Sequence, residues 1–370
     1  GRSFYVLDDY SPLRLVDEEL IQRDAAVLPI KTALRYIESN RLGGRRGRGS
    51  QGASFFAADN PPFGAVFTYY LKDKIRSRKE LRKEEEKKAE KEGRPAPQTP
   101  IEELRAEDEE HAPVVYAVVH DDAGQVVRRV EASREKGLHR VAWNLRYPTT
   151  DPVSLRGPGD MPPWWEPPAG PLALPGTYTV TLVKDVDGVV TPLTSPEAFE
   201  VEPLALATFA ADDKAAVLAF QRKVARLHRA VQGAIRVANE TDTRIQFLRK
   251  AVIETPDADT ELLGELTSVE LRLNKLLTEL RGDQTRSKYN MPTMPSVSER
   301  VSQVLSDQQN VTSPPTQTQQ EAYGYAADAF ETVLGKLRTL IEQDVAGIEQ
   351  KLEKAGAPWT PGRVPSWERE

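Results

Sequence analysis

Apolar residues recur at every second position through the middle of the chain and at every third and fourth position after Pro203, so a β part is followed by an α part. In GLHRVAWNLRY, residues 137 to 147, Val141, Trp143, Leu145 and Tyr147 take one parity and Arg140, Ala142, Asn144 and Arg146 the other. That is the pattern of a strand with one buried face, and it predicts Trp143 as the anchor of a core. Tyr178, Val180 and Leu182 alternate in the same way with Thr177, Thr179 and Thr181. Within VVYAVVHDDAGQVVRRV, residues 114 to 130, Asp122-Ala123-Gly124 supplies the positive φ that a tight hairpin needs, and Asp187-Gly188 does so later. Pro175-Gly176 opens a strand with a type II turn signal. DNPPFGAVFTYYL, residues 59 to 71, is the first strand. The expectation is a β-sandwich over residues 59 to 203.

Beyond it, Val217, Phe220, Val224, Leu227, Val231, Ala234, Ala238, Thr241, Ile245, Leu248 and Val252 follow in alternating steps of three and four, a heptad seam. Leu262, Leu266, Val269, Leu273, Leu276 and Leu280 repeat it after Thr255-Pro256-Asp257, where the chain reverses. A third helix over Gln319 to Ala355 carries the wider stripe of Tyr323, Ala326, Phe330, Val333, Leu337, Ile341, Val345, Ile348 and Leu352. SVSERVSQVL, residues 296 to 305, opens on a Ser296 and Glu299 capping box. At ~1.5 Å per residue the first helix, Asp212 to Ile253, extends on the order of 60 Å. Residues 204 to 370 are therefore expected to form an elongated antiparallel helical bundle.

Three stretches break these patterns. KELRKEEEKKAEKEG, residues 79 to 93, places Glu and Lys at helical spacing with no apolar stripe, so residues 72 to 112 read as a charged, solvated helical insertion between the first two strands. Residues 148 to 172 form a long proline-rich loop holding Trp164 and Trp165, placed either to peg the loop to a neighbouring domain or to stack on a ligand. Residues 25 to 58 read as a linker, irregular and apolar at first, then rich in arginine and glycine from 41 to 52. No aromatic residue interleaves those arginines, and the stretch reads as a flexible surface loop.

Composition narrows the function classes. With 370 residues two or three units are expected, and 50 basic against 56 acidic residues give a net charge of -6, which argues against a dedicated nucleic-acid partner. There is no cysteine, hence no disulfide, thiolate nucleophile or thiolate metal site. No apolar run is long enough for a membrane span. The first residues lack the charged and apolar regions of a signal peptide, and FYVLDD reads as a strand cut from a larger sheet.

His111, His120, His139 and His228 are not at metal-ligand spacing, and no metalloprotease, nucleophile-elbow, phosphate-loop or dinucleotide motif is present. Asp8-Asp9 is an acidic pair at a strand end, read as a turn and, in the alternative, as carboxylates completing a hydrolytic site. No catalytic residue, metal or cofactor is implied; the candidate binding residues are Trp164 and Trp165.

GRSFYVLDDYSPLR resembles the last blade of bacterial β-propeller proteins with BNR or sortilin-type repeats, often labelled glycosyl hydrolases. DNPPFGAVFTYYL, GQVVRRVEASREKGLHRVAWNLRYP and GPLALPGTYTVTL are similar to that family's C-terminal Ig-like domain, itself similar to one in flagellar hook-capping proteins, which implies that the sandwich over residues 59 to 203 is Ig-like or fibronectin-like. TRSKYNMPTMPSVSERVSQVL and PTQTQQEAYGYAADAFETVLGKL resemble its terminal helical region, while the charged insertion departs from the family pattern. The resemblance implies that residues 1 to 24 are the last strands of a propeller blade and that the protein is exported to the periplasm or beyond. It implies a non-catalytic accessory module whose partners are its own N-terminal propeller and a protein or polysaccharide ligand. The alternative it implies is part of a sialidase-like glycoside hydrolase with its active site in the propeller, although this chain has no S-x-D-x-G-x-x-W Asp-box.

Overall fold

The computed structural model describes residues 9–38, 52, 54, 60–155, 168–205, 210–367 and 369. It is mixed α and β and divides into two units, one of Gly1–Pro148 and Leu172–Thr208, the other of Thr149–Pro171 and Phe209–Glu370.

The first unit begins with a 3-10 turn, Ser11–Leu15, and a short helix, α1 (Glu18–Gln22), capped by the Asp17 carboxylate. The described part of the segment expected as blade strands is thus helical, and FYVLD lies outside the described residues. Strands β1 (Ala25–Val27), β2 (Ala33–Arg35) and β3 (Ala65–Leu71) precede helices α2 (Arg78–Lys91) and α3 (Ile101–Glu109). Then come β4 (Val114–His120), β5 (Val126–Ala132), β6 (Gly137–Trp143), β7 (Gly176–Val186), β8 (Val189–Pro192) and β9 (Glu197–Pro203). One sheet has the order β1-β3-β6; the other runs β2-β9-β7-β4-β5, with β8 also on β7.

The two sheets share one core, because the parity that hides Phe67 on β3 is matched by the parity that hides Phe199 on β9. Their rings lie 5.3 Å apart, and Trp143 stands 5.3 Å from Tyr178. Trp143 is 1% exposed, and its indole donates to Arg146 O at 3.0 Å. That bond fits a chain that leaves β6 at Trp143. The strand expected to reach residue 147 stops there, and Leu145 is buried from a left-handed turn with φ 54. Gly64 is required beside it, since a Cβ there would lie 2.0 Å from Trp143 O. Asp187 and Gly188 have φ of 53 and 80, and Gly124 has φ of 74, so both hairpins turn where the sequence predicts.

The 25 to 58 stretch is not wholly a linker. Its first half adds β1 antiparallel to β3 and β2 parallel to β9, one strand to each sheet, with Leu28 buried between them. Three-residue strands on either side of Pro29 are too short to show a period. The arginine and glycine stretch lies outside the described residues, apart from Gly52.

The charged insertion forms two helices rather than one. Ser77 and Glu80 make a capping box for α2, and Arg82 joins α2 to α3 by a bidentate pair with Glu107, at 2.6 and 2.8 Å.

The second unit holds α4 (Lys214–Glu254), α5 (Glu261–Arg281), α6 (Gln284–Lys288), α7 (Val297–Gln309) and α8 (Gln317–Thr339), then a π turn (Leu340–Val345) and α9 (Ala346–Lys354). Every predicted seam residue of α4 is buried except Phe220 and Leu227, which pack against the core half-buried, and all six of α5 are buried. Arg249 bonds Thr267 and Glu270 while Arg281 bonds Asn239, so α5 runs back along α4. Gln221 with Gln308 and Gln232 with Ser298 set α7 antiparallel to α4 as well. The Ser296 and Glu299 capping box is present. In the last stripe Leu340 is buried in place of Ile341, and the next core residue, Val345, follows after five positions. The π turn absorbs that extra residue, so the stripe stays on one face. Among the described residues no helix is long and apolar enough to cross a membrane.

Candidate functional site

Beside its heptad seam α4 carries a second buried stripe, Leu218, Gln221, Ala225 and His228, again in steps of three and four. One polar pair on it, Gln221 and His228, is seven residues apart and so points the same way. Across from it α7 presents Leu305 and Gln308. The described stems of the proline-rich segment, 149–151 and 168–171, line the remaining side of a cavity of about 190 Å³. These stems belong to the helical unit, although the sequence places the whole loop within the sandwich.

The walls are held by side-chain amides. Gln221 donates to Gln308 O at 2.8 Å, Gln308 donates to Gln319 Oε1 at 2.8 Å, and Gln309 donates to Ala169 O at 2.8 Å, tying α7 to α4, to α8 and to the stem. Gln232 donates to Ser298 Oγ at 3.1 Å and its amide nitrogen lies 3.4 Å from His228 Nε2. An amide nitrogen can only donate, so Nε2 accepts and the imidazole proton sits on Nδ1. Burial pushes the His228 pKa below its ordinary value while Asp151 pulls the other way, and the ring is neutral at pH 7.

Nδ1 lies 3.3 Å from Asp151 Oδ1 but out of line for a hydrogen bond, so the carboxylate stands beside the N–H without satisfying it. Gln308 Oε1 is also buried without a hydrogen bond. One donor and one acceptor are thus left unmatched in side chains that line the same cavity. Each such group costs about 1–3 kcal/mol.

The other candidates fall elsewhere. Trp164, Trp165 and Asp8 lie outside the described residues. Asp9 accepts from Ser11 Oγ and, at 2.9 Å, from Ser11 N, and these bonds hold its pKa below the ordinary carboxylate value; it is a turn-forming residue. His139 contacts Glu135 O at 2.6 Å, and His111 is exposed 4.0 Å from Asp187. Among the described residues no three His, Asp or Glu side chains converge as metal ligands. Sequence alone does not single out His228 from the other histidines, because Asp151 and Gln308, which line the cavity with it, are remote in the chain. The visible signal was Gln221 and His228 on one helical face among apolar residues. No family model, curated protein or solved structure matches the chain.

Proposed function

We propose that this chain is a non-catalytic accessory and interaction module of an exported bacterial β-propeller protein, working in the periplasm or outside the cell. In this reading the two-sheet unit is an Ig-like sandwich, the helical unit an elongated antiparallel bundle, the N-terminal propeller the first partner, and a protein or polysaccharide the ligand.

The observation that supports binding over chemistry is the state of His228. Its Nε2 lone pair faces the Gln232 amide and its protonated Nδ1 faces Asp151, so the ring has no free base to offer a substrate. Glycosidic cleavage uses two placed carboxylates, and among the described residues lining the cavity Asp151 is the one carboxylate. What the cavity does offer is shape, apolar wall and unmatched hydrogen-bonding groups, which are the properties of a binding site.

The test is a panel of glycosides, polysaccharides and partner proteins presented to the purified chain. Binding without turnover is expected, with polysaccharide binding reduced in the Trp164→Ala, Trp165→Ala double variant. Turnover that disappears with Asp8→Asn or Asp9→Asn would overturn the reading. Any coding sequence ahead of Gly1 tests the propeller attachment, since repeated Asp-boxes with clustered arginines and a tyrosine-glutamate pair there would favour a sialidase-like enzyme.

A further inference from the structure

We propose that the cavity between α4, α7 and the 149–151 and 168–171 stems is a site for a small neutral polyol, either free or as the terminal unit of a saccharide. This rests on the binding-module reading and specifies one ligand class for it. The unmatched groups define the chemistry: His228 Nδ1–H needs an acceptor and Gln308 Oε1 needs a donor. A hydroxyl supplies both, and two adjacent hydroxyls supply them at separate points.

Charge and size narrow it further. The Asp151 carboxylate on the wall disfavours an anion, and a cationic ligand would leave the His228 N–H facing positive charge. Pro168, Pro171, Val224 and Leu305 give apolar wall for the C–H faces of a carbon chain. An apolar cavity of about 150 Å³ holds benzene, so about 190 Å³ suits a molecule slightly larger, a three- or four-carbon polyol. Both unmatched atoms are buried and belong to side chains that line the cavity.

The experiment is a ligand-observed and chemical-shift NMR titration of the full chain with glycerol, erythritol, a neutral linear oligosaccharide and, as control, ethylamine. Saturable binding of erythritol is expected, weakened at least about fivefold in Gln308→Met, which keeps the volume but removes the acceptor. It should be abolished in Ala225→Leu, which fills the space and leaves the polar groups. Oligosaccharide binding that competes with erythritol assigns the site to a chain terminus; its absence assigns it to the free polyol.

Ethylamine bound more tightly than erythritol, or polyol binding unchanged in both variants, overturns the inference. Should either variant fail to fold, a crystal structure of the wild-type chain grown with erythritol decides, and ordered water alone in the cavity overturns it. Polysaccharide binding without polyol binding removes this inference and leaves the module reading standing. Glycoside turnover with the polyol site intact does the reverse.

Discussion

Glu80 on α2 grips Arg134, beyond the end of β5, with two hydrogen bonds: Oε2 accepts from Nη1 at 2.6 Å and Oε1 from Nη2 at 3.1 Å. The same carboxylate accepts from Ser77 N at 3.0 Å and pairs with Lys74 at 3.1 Å, while Arg134 also donates to Ile75 O at 2.9 Å. A helix with no apolar stripe is thus tied to the sheet unit at its first turn by ion pairs and by hydrogen bonds to the backbone.

The acid response of the sheet unit follows from that contact. Arg134 first, then the Ser77 amide and Lys74, hold the Glu80 pKa down to about 2, against 4.5 for a free glutamate. Because the folded value is the lower one, the stabilisation is complete above about 4.5 and is lost as pH falls towards about 2. Urea unfolding followed from pH 5 to pH 2 should therefore show a steeper loss for the wild type than for Glu80→Gln. At neutral pH Glu80→Gln should cost only about 1 kcal/mol, since both partners remain partly solvated. Parallel acid profiles would remove Glu80 as a determinant.

Beyond Glu80 the charged hairpin should be dispensable. Arg82 pairs with Glu107 and Glu86 inside the hairpin, and the contact that leaves the segment, Glu84 with Arg76 at 2.9 Å, is a partly exposed ion pair worth little. Replacing residues 82 to 107 with a short glycine-serine link should leave the unfolding midpoint of the sheet unit close to wild type, because a surface loop changes closure entropy little. Insoluble protein after this deletion would show that the helices cover apolar surface.

The turn after Trp143 is the costly place to alter. Trp143→Ala should lose roughly 3–5 kcal/mol, the range for deleting a large core aromatic. Gly64→Ala should lose about 2 kcal/mol or more without touching any apolar contact, because its φ of 103 disfavours a side chain and the new Cβ meets Trp143 O. A loss below about 1 kcal/mol in chemical denaturation of either variant would contradict the packing described.

What was legible in the sequence is what repeats. The leucines of α5 and the seam of α4 announce their burial by spacing, and Asp187-Gly188 announces its hairpin because few other residues tolerate both dihedral angles. The strands at Ala25–Val27 and Ala33–Arg35 were illegible, since three residues do not establish a parity and only the distant edges of β3 and β9 make them strands. The cavity was half legible. Gln221 and His228 mark polar positions in a buried stripe of α4 shared with Leu218 and Ala225, but the other polar walls of the cavity, Asp151 and Gln308, are brought there by tertiary structure.

The π turn gives the sharpest test of how the periodicity sets the fold. From Leu337 the buried positions run Leu340, Val345, Ile348 and Leu352, so one gap of five interrupts steps of three and four. Ile341, the residue the repeat nominates, is displaced to a half-exposed position. Deleting Ile341 shortens that gap to four and restores an uninterrupted stripe, and an α-helix then satisfies the backbone without the bulge. The deletion variant should keep its helical circular dichroism and unfold at a midpoint equal to or above wild type. Had the bulge instead been imposed by contacts such as Arg272 with Asp344, at 2.9 Å, the deletion would rotate α9 out of register and expose Val345, Ile348 and Leu352. That outcome would appear as lost helicity and a lowered midpoint, and would assign the π turn to tertiary contacts rather than to the sequence repeat.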